Sequence, residues 1–247
     1  MNLVKSALAT AALLAATGAN ATVIQGNSLQ TIINGLYACG VCSQVSQAPN
    51  VLTDQAAPDE QWAIEASGSS IATIVLELAG LANDNIFGVY DVYDPSKRVQ
   101  LFGGPDSSGD SVALSFNSSG TVLRNFASTG VKFAGSHFGY YLQTPDNLFY
   151  SQHLLNPGGA DQMVAFRGDG DSIQLPDKWP GVWGPSSYIL AWEDLRYSSS
   201  DQDFDDFVVY VESVTAVPEP NTLALFGLGL LGLGVAGLRK RTRAVSR

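Results

Sequence analysis

The residues of this chain that are best suited to chemistry are acidic and lie within fourteen positions, 193–206. Asp201, Asp203 and Asp205 alternate, so they share one face of a strand or are spaced as Ca²⁺ ligands are in a loop. Carboxylates this close repel one another unless a cation offsets their charge. We predict a Ca²⁺ site built from these three residues, with Glu193 or Asp194 completing it. The alternative is a solvated acidic turn before a strand.

The spacing partly fits an EF-hand loop. With Asp201 as position 1, Glu212 falls at position 12, but position 6 is Asp206 instead of the glycine that the sharp turn requires. Residues 207–211 also favour a strand over a helix. We therefore interpret the region as a cation-binding loop followed by a strand. Asp169 and Asp171 are the next candidate ligands, although their spacing around a glycine favours a simple turn.

The sequence favours a non-catalytic protein over an enzyme. It contains no G-x-S-x-G motif, and its two histidines leave few options for a catalytic triad. One alternative is a carbohydrate-binding module that stacks sugar on Trp179 and Trp183, although core packing of at least one of these rings is favoured. A weaker alternative is a glycoside hydrolase that pairs Glu193 with an aspartate of 201–206.

The elements that must position these residues are predicted to be mostly short strands. Candidate strands are 71–79, 86–92, 111–116, 121–126, 138–142, 162–167, 187–192 and 207–214, separated by Gly, Pro, Asn, Asp and Ser. No long amphipathic helices alternate with them, which disfavours an α/β fold. The pattern predicts an all-β body, an antiparallel β-sandwich similar to a jelly roll.

A short helix and the only two cysteines precede the strands. Leu29, Ile32, Ile33, Leu36 and Tyr37 form one apolar helical face. The pair Cys39 and Cys42 follows this helix, whereas a thioredoxin-like C-x-x-C opens one. We predict a structural disulfide that closes a tight loop and adds little stability.

Both ends of the chain have the composition of targeting segments. Residues 1–21 combine Lys5, an apolar run and Ala19-Asn20-Ala21, as in a secretory signal peptide cleaved after Ala21. Residues 222–238 form an uncharged apolar run of membrane-spanning character, followed by a basic cluster that should stay cytoplasmic. The alternatives are an uncleaved N-terminal span and a permanent C-terminal anchor.

The tail from residue 217 to about 243 closely resembles the PEP-CTERM sorting signal, because Pro218, Glu219 and Pro220 precede the apolar run and the basic end. The resemblance implies processing by an exosortase-type enzyme near these residues. It also implies transient anchoring in the inner membrane of a Gram-negative bacterium that makes exopolysaccharide. The protein would then reach the cell surface or the extracellular matrix.

The body resembles the DUF4114 family of bacterial surface proteins. The resemblance rests on Trp192-Glu193-Asp194-Leu195, a polar loop, and the acidic stretch 201–206 that leads into Phe207. The family supplies no established reaction, so the resemblance implies a fold and a setting.

The body between the two ends is strongly acidic. The whole chain has a formal net charge of −10, but six of its thirteen Lys and Arg lie in the end segments, against one of its twenty-three Asp and Glu. The body thus carries seven basic and twenty-two acidic residues, a net charge of −15, which excludes nucleic acid as a partner. We expect four parts: a signal peptide (1–21), an N-terminal segment (22–70), a β-sandwich (71–216) and a sorting signal (217–243).

Overall fold

The computed structural model describes residues 21–40, 42, 47–65, 68–77 and 84–218, and the statements below concern these residues. They form one α-helix, α1 (Ser28–Tyr37), two short 3₁₀ helices (His153–Leu155 and Pro157–Gly159) and fifteen strands. The strands are β1 (Gln61–Ile64), β2 (Ser69–Glu77), β3 (Ile86–Asp91), β4 (Asp94–Gly103), β5 (Ser111–Phe116), β6 (Thr121–Arg124), β7 (Ala127–Lys132), β8 (His137–Gln143), β9 (Leu148–Tyr150), β10 (Met163–Arg167), β11 (Ser172–Ile173), β12 (Gly181–Val182), β13 (Ser187–Trp192), β14 (Phe207–Glu212) and β15 (Val214–Val217).

The strands form two large antiparallel sheets and one small hairpin. The six-stranded sheet has the order β15-β1-β8-β3-β4, with β9 paired to β8, and the seven-stranded sheet has the order β10-β13-β14-β2-β5-β6-β7. Strands β11 and β12 pair only with each other. The predicted all-β antiparallel fold with a short N-terminal helix is therefore confirmed.

The core lies between the two large sheets. Side chains of the seven-stranded sheet such as Leu190, Trp192 and Val209 pack there against Phe87 and Tyr140 of the other sheet. The ring of Phe87 stacks on Tyr140 with the ring centroids 5.5 Å apart and meets the edge of Trp192 at 6.1 Å. These ring contacts fix how the end of β13 sits over the opposite sheet.

The outer face of the seven-stranded sheet is covered by α1. Leu29, Ile33 and Leu36 of the helix pack in a second apolar cluster with Ile189 and Val208 of the central strands. Strands β10, β13 and β14 are thus buried on both faces, which explains why they consist of nearly continuous apolar runs instead of alternating ones.

The two targeting segments proposed from the sequence fall outside the described ranges. The signal peptide is described only at Ala21, and the apolar segment 222–238 and most of the sorting motif are not described. None of the helices in the described part of the chain has the length and apolar character of a membrane span.

Candidate cation site

The acidic stretch forms the loop between β13 and β14, two strands that pair from Trp192 and Phe207 onward. Glu193 continues the pairing of β13, because its amide donates to the carbonyl of Gln162 over 3.1 Å. The loop closes at its base, where the amide of Asp194 donates to Oδ2 of Asp206 over 3.0 Å. Both ends of the loop are therefore fixed by the sheet.

Gln162, a buried residue just before β10, holds the outgoing half of the loop. Its side-chain nitrogen donates to the carbonyl of Leu195 over 2.7 Å, and its side-chain oxygen accepts from the amide of Tyr197, also over 2.7 Å. The returning half is held by the N-terminal segment, since the amide of Gln25 donates to the carbonyl of Gln202 over 2.8 Å.

Glu193, Asp201 and Asp203 converge on one point. Each offers a carboxylate oxygen, and these three oxygens lie within 4.8 Å of one another. Two oxygens that bind one Ca²⁺ at about 2.4 Å are separated by at most about 4.8 Å, so the spacing suits a single ion. Within the described part of the chain, these residues are the one group of three or more acidic, His or Cys side chains placed in this way.

Glu193 gives this cluster a buried oxygen with no partner. The residue is 0% exposed, and its Oε1 accepts from the amide of Phe204 over 2.6 Å. Its Oε2 has no hydrogen-bond partner among the described residues, and neither has the buried Oδ1 of Asp203. A buried carboxylate oxygen without a partner is costly, and a bound cation removes that cost.

Burial and mutual repulsion raise the pKa values of these acids. Burial raises the pKa of Asp203 to about 7, and the neighbouring carboxylates of Asp205 and Asp201 add to the shift. The pKa of Glu193 is also raised, first by burial and then by the charge of Asp201. Burial raises the pKa of Asp206 to about 7, with the carboxylates of Asp194 and Glu193 adding to it. At neutral pH the loop therefore holds protons that a cation would displace.

Two of the predicted ligands lie beside this group and not in it. Asp205 accepts a hydrogen bond from the hydroxyl of Ser28, the first residue of α1. Asp194 faces the opposite sheet, where its Oδ2 accepts from the side-chain nitrogen of Asn85 over 3.2 Å. Arg196, the basic residue in the stretch, donates through Nε to Oδ1 of Asn147 over 3.0 Å.

The other candidate residues lie away from this loop. Glu212 ends β14 at the edge opposite the loop, roughly 17 Å from Phe207, which agrees with the rejection of an EF-hand. Asp169 and Asp171 lie in a turn around Gly170, where the amide of Asp171 donates to Oδ1 of Asp169 over 3.2 Å.

The two candidate sugar-binding tryptophans are separated by burial. Trp179 is 92% exposed, whereas Trp183 is 0% exposed and its indole nitrogen donates to the carbonyl of Ser187 over 3.1 Å. The predicted core packing of at least one of these rings therefore holds for Trp183. The alternative in which both rings lie on one exposed loop and stack on sugar is therefore excluded for Trp183.

Sequence reasoning missed the residues that support the loop from elsewhere in the fold. Gln162 falls in a predicted strand, Asn85 lies just before another, and Ser28 precedes the predicted helical face. None of them carries a local signal for the site, because each reaches the loop only through tertiary contacts over 31 or more positions.

Two family models match parts of the chain. A model of a domain of unknown function, DUF4114, matches residues 107–214, a range that runs from just before β5 to the first residue of β15 and contains the whole acidic loop. A model of the PEP-CTERM protein-sorting motif matches residues 216–241. The chain carries a DUF4114 domain and a PEP-CTERM sorting motif. No curated protein matches it.

The PEP-CTERM motif identifies the chain as an exported bacterial protein that an exosortase-type enzyme sorts to the cell surface or the extracellular space. The DUF4114 domain adds no reaction, since its function is not known. The two matches are separated by one residue, and the match to the sorting motif begins within β15, the last strand of the described residues.

Proposed function

We propose that this protein is a non-catalytic component of the cell surface or extracellular matrix, that one Ca²⁺ ion stabilises its DUF4114 domain, and that it associates with exopolysaccharide. Two observations carry the calcium proposal: Glu193 offers a carboxylate oxygen within 4.8 Å of oxygens of Asp201 and Asp203, and its buried Oε2 has no hydrogen-bond partner among the described residues. Exopolysaccharide association rests on the sorting motif and on the resemblance described above.

The donor set suits Ca²⁺. Three carboxylates are hard oxygen ligands, and Ca²⁺ completes six to eight positions with backbone carbonyls and water. Cysteine and histidine ligands, which softer metals prefer, are missing from this group of residues. Asp201 is exposed, so an ion can reach the site from solvent, while Glu193 anchors it from the buried side.

The same geometry supports a structural role over hydrolysis. The three oxygens lie within 4.8 Å of one another. An inverting glycosidase separates its two carboxyl groups by about 6.5–9.5 Å and a retaining one by about 5–5.5 Å. The spacing does not fit the inverting arrangement, and the full burial of Glu193 leaves it no contact with a sugar. Bound Ca²⁺ would instead connect the end of β13 to the returning half of the loop, and through Asp205 and Ser28 the loop already contacts α1.

Thermal melting of the exported protein tests this proposal. With Ca²⁺ a hundredfold above its dissociation constant, binding contributes about 2.7 kcal/mol, which corresponds to a rise in Tm of roughly 5–10 °C. Extracellular sites bind in the range of about 0.1–1 mM, so millimolar Ca²⁺ is needed. Asp203→Asn and Glu193→Gln should blunt the rise, while Asp146→Asn, an exposed acid of another loop, should keep it.

Two results would contradict the calcium proposal. One is an equal and small shift with Ca²⁺ and Mg²⁺, because that response is expected from screening of an acidic surface. The other is a full response to Ca²⁺ in both Asp203→Asn and Glu193→Gln, which would place the ion elsewhere.

A second candidate function, direct sugar binding, is favoured by Trp179. This exposed ring lines a groove of about 250 Å³ with Val182, Tyr210 and Glu212. An exposed aromatic ring beside a carboxylate offers a stacking face and an acceptor for sugar hydroxyls. Trp179→Ala should then weaken binding to exopolysaccharide from the host at least tenfold, and Phe126→Ala, which removes another exposed ring, should not. Equal binding by both variants would remove this candidate.

A further inference from the structure

Thr22, near the start of the N-terminal segment, contacts a second acidic cluster, which includes Asp161 just before β10. Asp59, Glu60 and Asp161 are all half-buried, and their charges act on one another. Burial raises the pKa of Asp59 well above its usual range, and the carboxylates of Asp161 and Glu60 add to it. Burial also raises the pKa of Asp161, although the hydrogen bonds from Thr22 and Met163 and the charge of His153 act in the opposite direction and lower it. His153 contacts Glu60.

Thr22 is held in this cluster by three hydrogen bonds. Its hydroxyl donates to Oδ2 of Asp161 over 2.7 Å. Its amide donates to Oε1 of Gln55 over 2.7 Å, and its carbonyl accepts from Nε2 of Gln55 over 2.8 Å. Gln55 thus binds both the amide and the carbonyl of Thr22, while the hydroxyl of Thr22 binds the half-buried carboxylate of Asp161. So many contacts are unusual for a residue at the edge of a removable leader.

Thr22 directly follows the predicted cleavage site. Ala19-Asn20-Ala21 has the small residues that a signal peptidase requires, and Ala21 is exposed in the folded chain. Hydrolysis of the bond between 21 and 22 adds one water molecule, leaves a carboxylate on Ala21 and converts the amide nitrogen of Thr22 into an ammonium group. The nitrogen that now donates one hydrogen bond then has three protons and a positive charge.

We infer that Thr22 is the first residue of the mature protein and that its ammonium group binds beside Gln55 and Asp161, the residues that already hold Thr22. The hydroxyl of Thr22 lies 2.7 Å from Oδ2 of Asp161, so its nitrogen lies within roughly 6 Å of the same oxygen. An opposite charge at that distance favours the ionised form of a half-buried carboxylate. Removal of the leader thus supplies the cation that this cluster needs.

The inference has a defined pH dependence. Asp161 is the carboxylate that Thr22 contacts, Asp59 and Glu60 are the acids coupled to it, and His153 is the basic group that contacts Glu60. An α-amino group has an ordinary pKa of about 7.7–8.0, and these carboxylates raise it in the folded state. The stabilisation is therefore lost as the pH rises from about 7.7 through the raised pKa of the α-amino group, and it also weakens at low pH, where the carboxylates become protonated.

One inserted residue tests the inference in the full, exported chain. A glycine placed between Ala21 and Thr22 keeps the cleavage motif but moves the ammonium group about 3.8 Å outward. We expect the protein purified from its host to begin at Thr22 and the insertion to lower its Tm by roughly 4–8 °C at pH 7. In the Asp161→Asn background the insertion should have little further effect, whereas in the Asp146→Asn background its full effect should remain.

A measurement on the unaltered protein keeps the inference testable if a variant fails to fold. The rate of acetylation of the α-amino group, followed by the mass of the N-terminal peptide between pH 6 and 10, gives the pKa of that group. A value clearly above 8 supports the ammonium site. An ordinary value, a mature chain that begins at another residue, or an insertion that leaves the Tm unchanged would each overturn the inference.

Discussion

Glu193 is the residue on which the candidate site depends. It follows Trp192, whose ring packs in the core, so the carboxylate emerges on the opposite face, toward Phe204 and α1. Its Oε1 accepts a hydrogen bond from the amide of Phe204, and the carboxylate offers an oxygen within 4.8 Å of oxygens of Asp201 and Asp203. Burial fixes the position of this carboxylate, whereas the exposed Asp201 carboxylate is free to approach an ion.

At the residue scale we predict that the Tm of the metal-depleted protein falls as the pH rises, whereas the rise in Tm caused by Ca²⁺ grows. In metal-depleted protein, the pKa of Asp203 and of Asp206 is raised to about 7, so the folded state binds more protons than the unfolded state between about pH 4 and 7. Its Tm should therefore fall as the pH rises through that window. Ca²⁺ binds the ionised form, so the rise in Tm that it causes should be larger at pH 7.5 than at pH 5.5.

Melting curves with and without Ca²⁺ at the two pH values check this prediction. Asp203→Asn, which cannot ionise, should reduce the difference between the two pH values, and Asp110→Asn, an exposed acid before β5, should leave it intact. A calcium effect of the same size at both pH values would argue against the raised pKa values.

At the scale of elements, α1 covers the strands that present the site. Ile33 of α1 is 0% exposed, and its side chain packs between the helix and the outer face of the seven-stranded sheet. We predict that Ile33→Ala lowers the free energy of unfolding by about 2–4 kcal/mol, because it leaves a cavity in that cluster. Asn34→Ala, on the exposed side of the same turn, should cost well under 1 kcal/mol. Urea unfolding of both variants tests this prediction. Equal losses of unfolding free energy in the two variants would mean that the helix does not pack on the sheet.

The cysteine pair follows the end of α1 at Tyr37 and closes a very small ring. The structure joins Cys39 to Cys42 across three positions. Loop closure of that size contributes about 2 kcal/mol at most. We predict that the double change Cys39→Ala and Cys42→Ala lowers the Tm by no more than about 8 °C and leaves the domain folded. Turnover of the wild-type pair in a disulfide-reductase assay would contradict its structural role.

Local patterns predicted some elements well and others poorly, for identifiable reasons. The predicted helical face and the bounds of β5 and β13 agree with the structure, since dense apolar residues and clear turns delimit them. Strand β4 was missed because Pro95, Lys97 and Arg98 give its first half the composition of a loop. Strand β7 was missed because it buries none of its side chains fully and so lacks an apolar pattern.

The candidate site was predictable only where its residues are close in sequence. Glu193, Asp201 and Asp203 lie within one loop, so their acidic spacing was visible in the sequence. The diversion of Asp205 to Ser28 was not visible, because it depends on the packing of α1 over the sheet. The same holds for Asn85, which reaches Asp194 from the opposite sheet.

At the scale of the whole molecule, the acidic body is attached to ends of opposite character. Removal of both ends leaves the body with a net charge of −15, which favours solubility and the binding of cations outside the cell. The described chain extends to Pro218, the first residue of the Pro218–Pro220 motif, one position after the end of β15. Cleavage at the motif would thus spare every strand.

We predict that the protein recovered from the host surface lacks both end segments. Its intact mass should correspond to a chain that starts at Thr22 and ends near Pro218–Pro220, because a signal peptidase and an exosortase-type enzyme remove the rest. A strain without the exosortase-type enzyme should retain the tail and hold the protein in its membrane fraction. Surface protein of full mass, with residues 222–247 present, would instead indicate a permanent anchor.

The most direct test of the calcium site is calorimetric titration of metal-depleted, exported protein with Ca²⁺ at pH 7.5. We predict one ion per chain, with a dissociation constant of about 0.1–1 mM, and a release of protons that shows as a dependence of the heat on the buffer. Asp203→Asn should weaken binding at least tenfold, and Asp146→Asn should not change it. Absence of a saturable site, or unchanged binding in Asp203→Asn, would contradict the assignment of Glu193, Asp201 and Asp203 as the cation site.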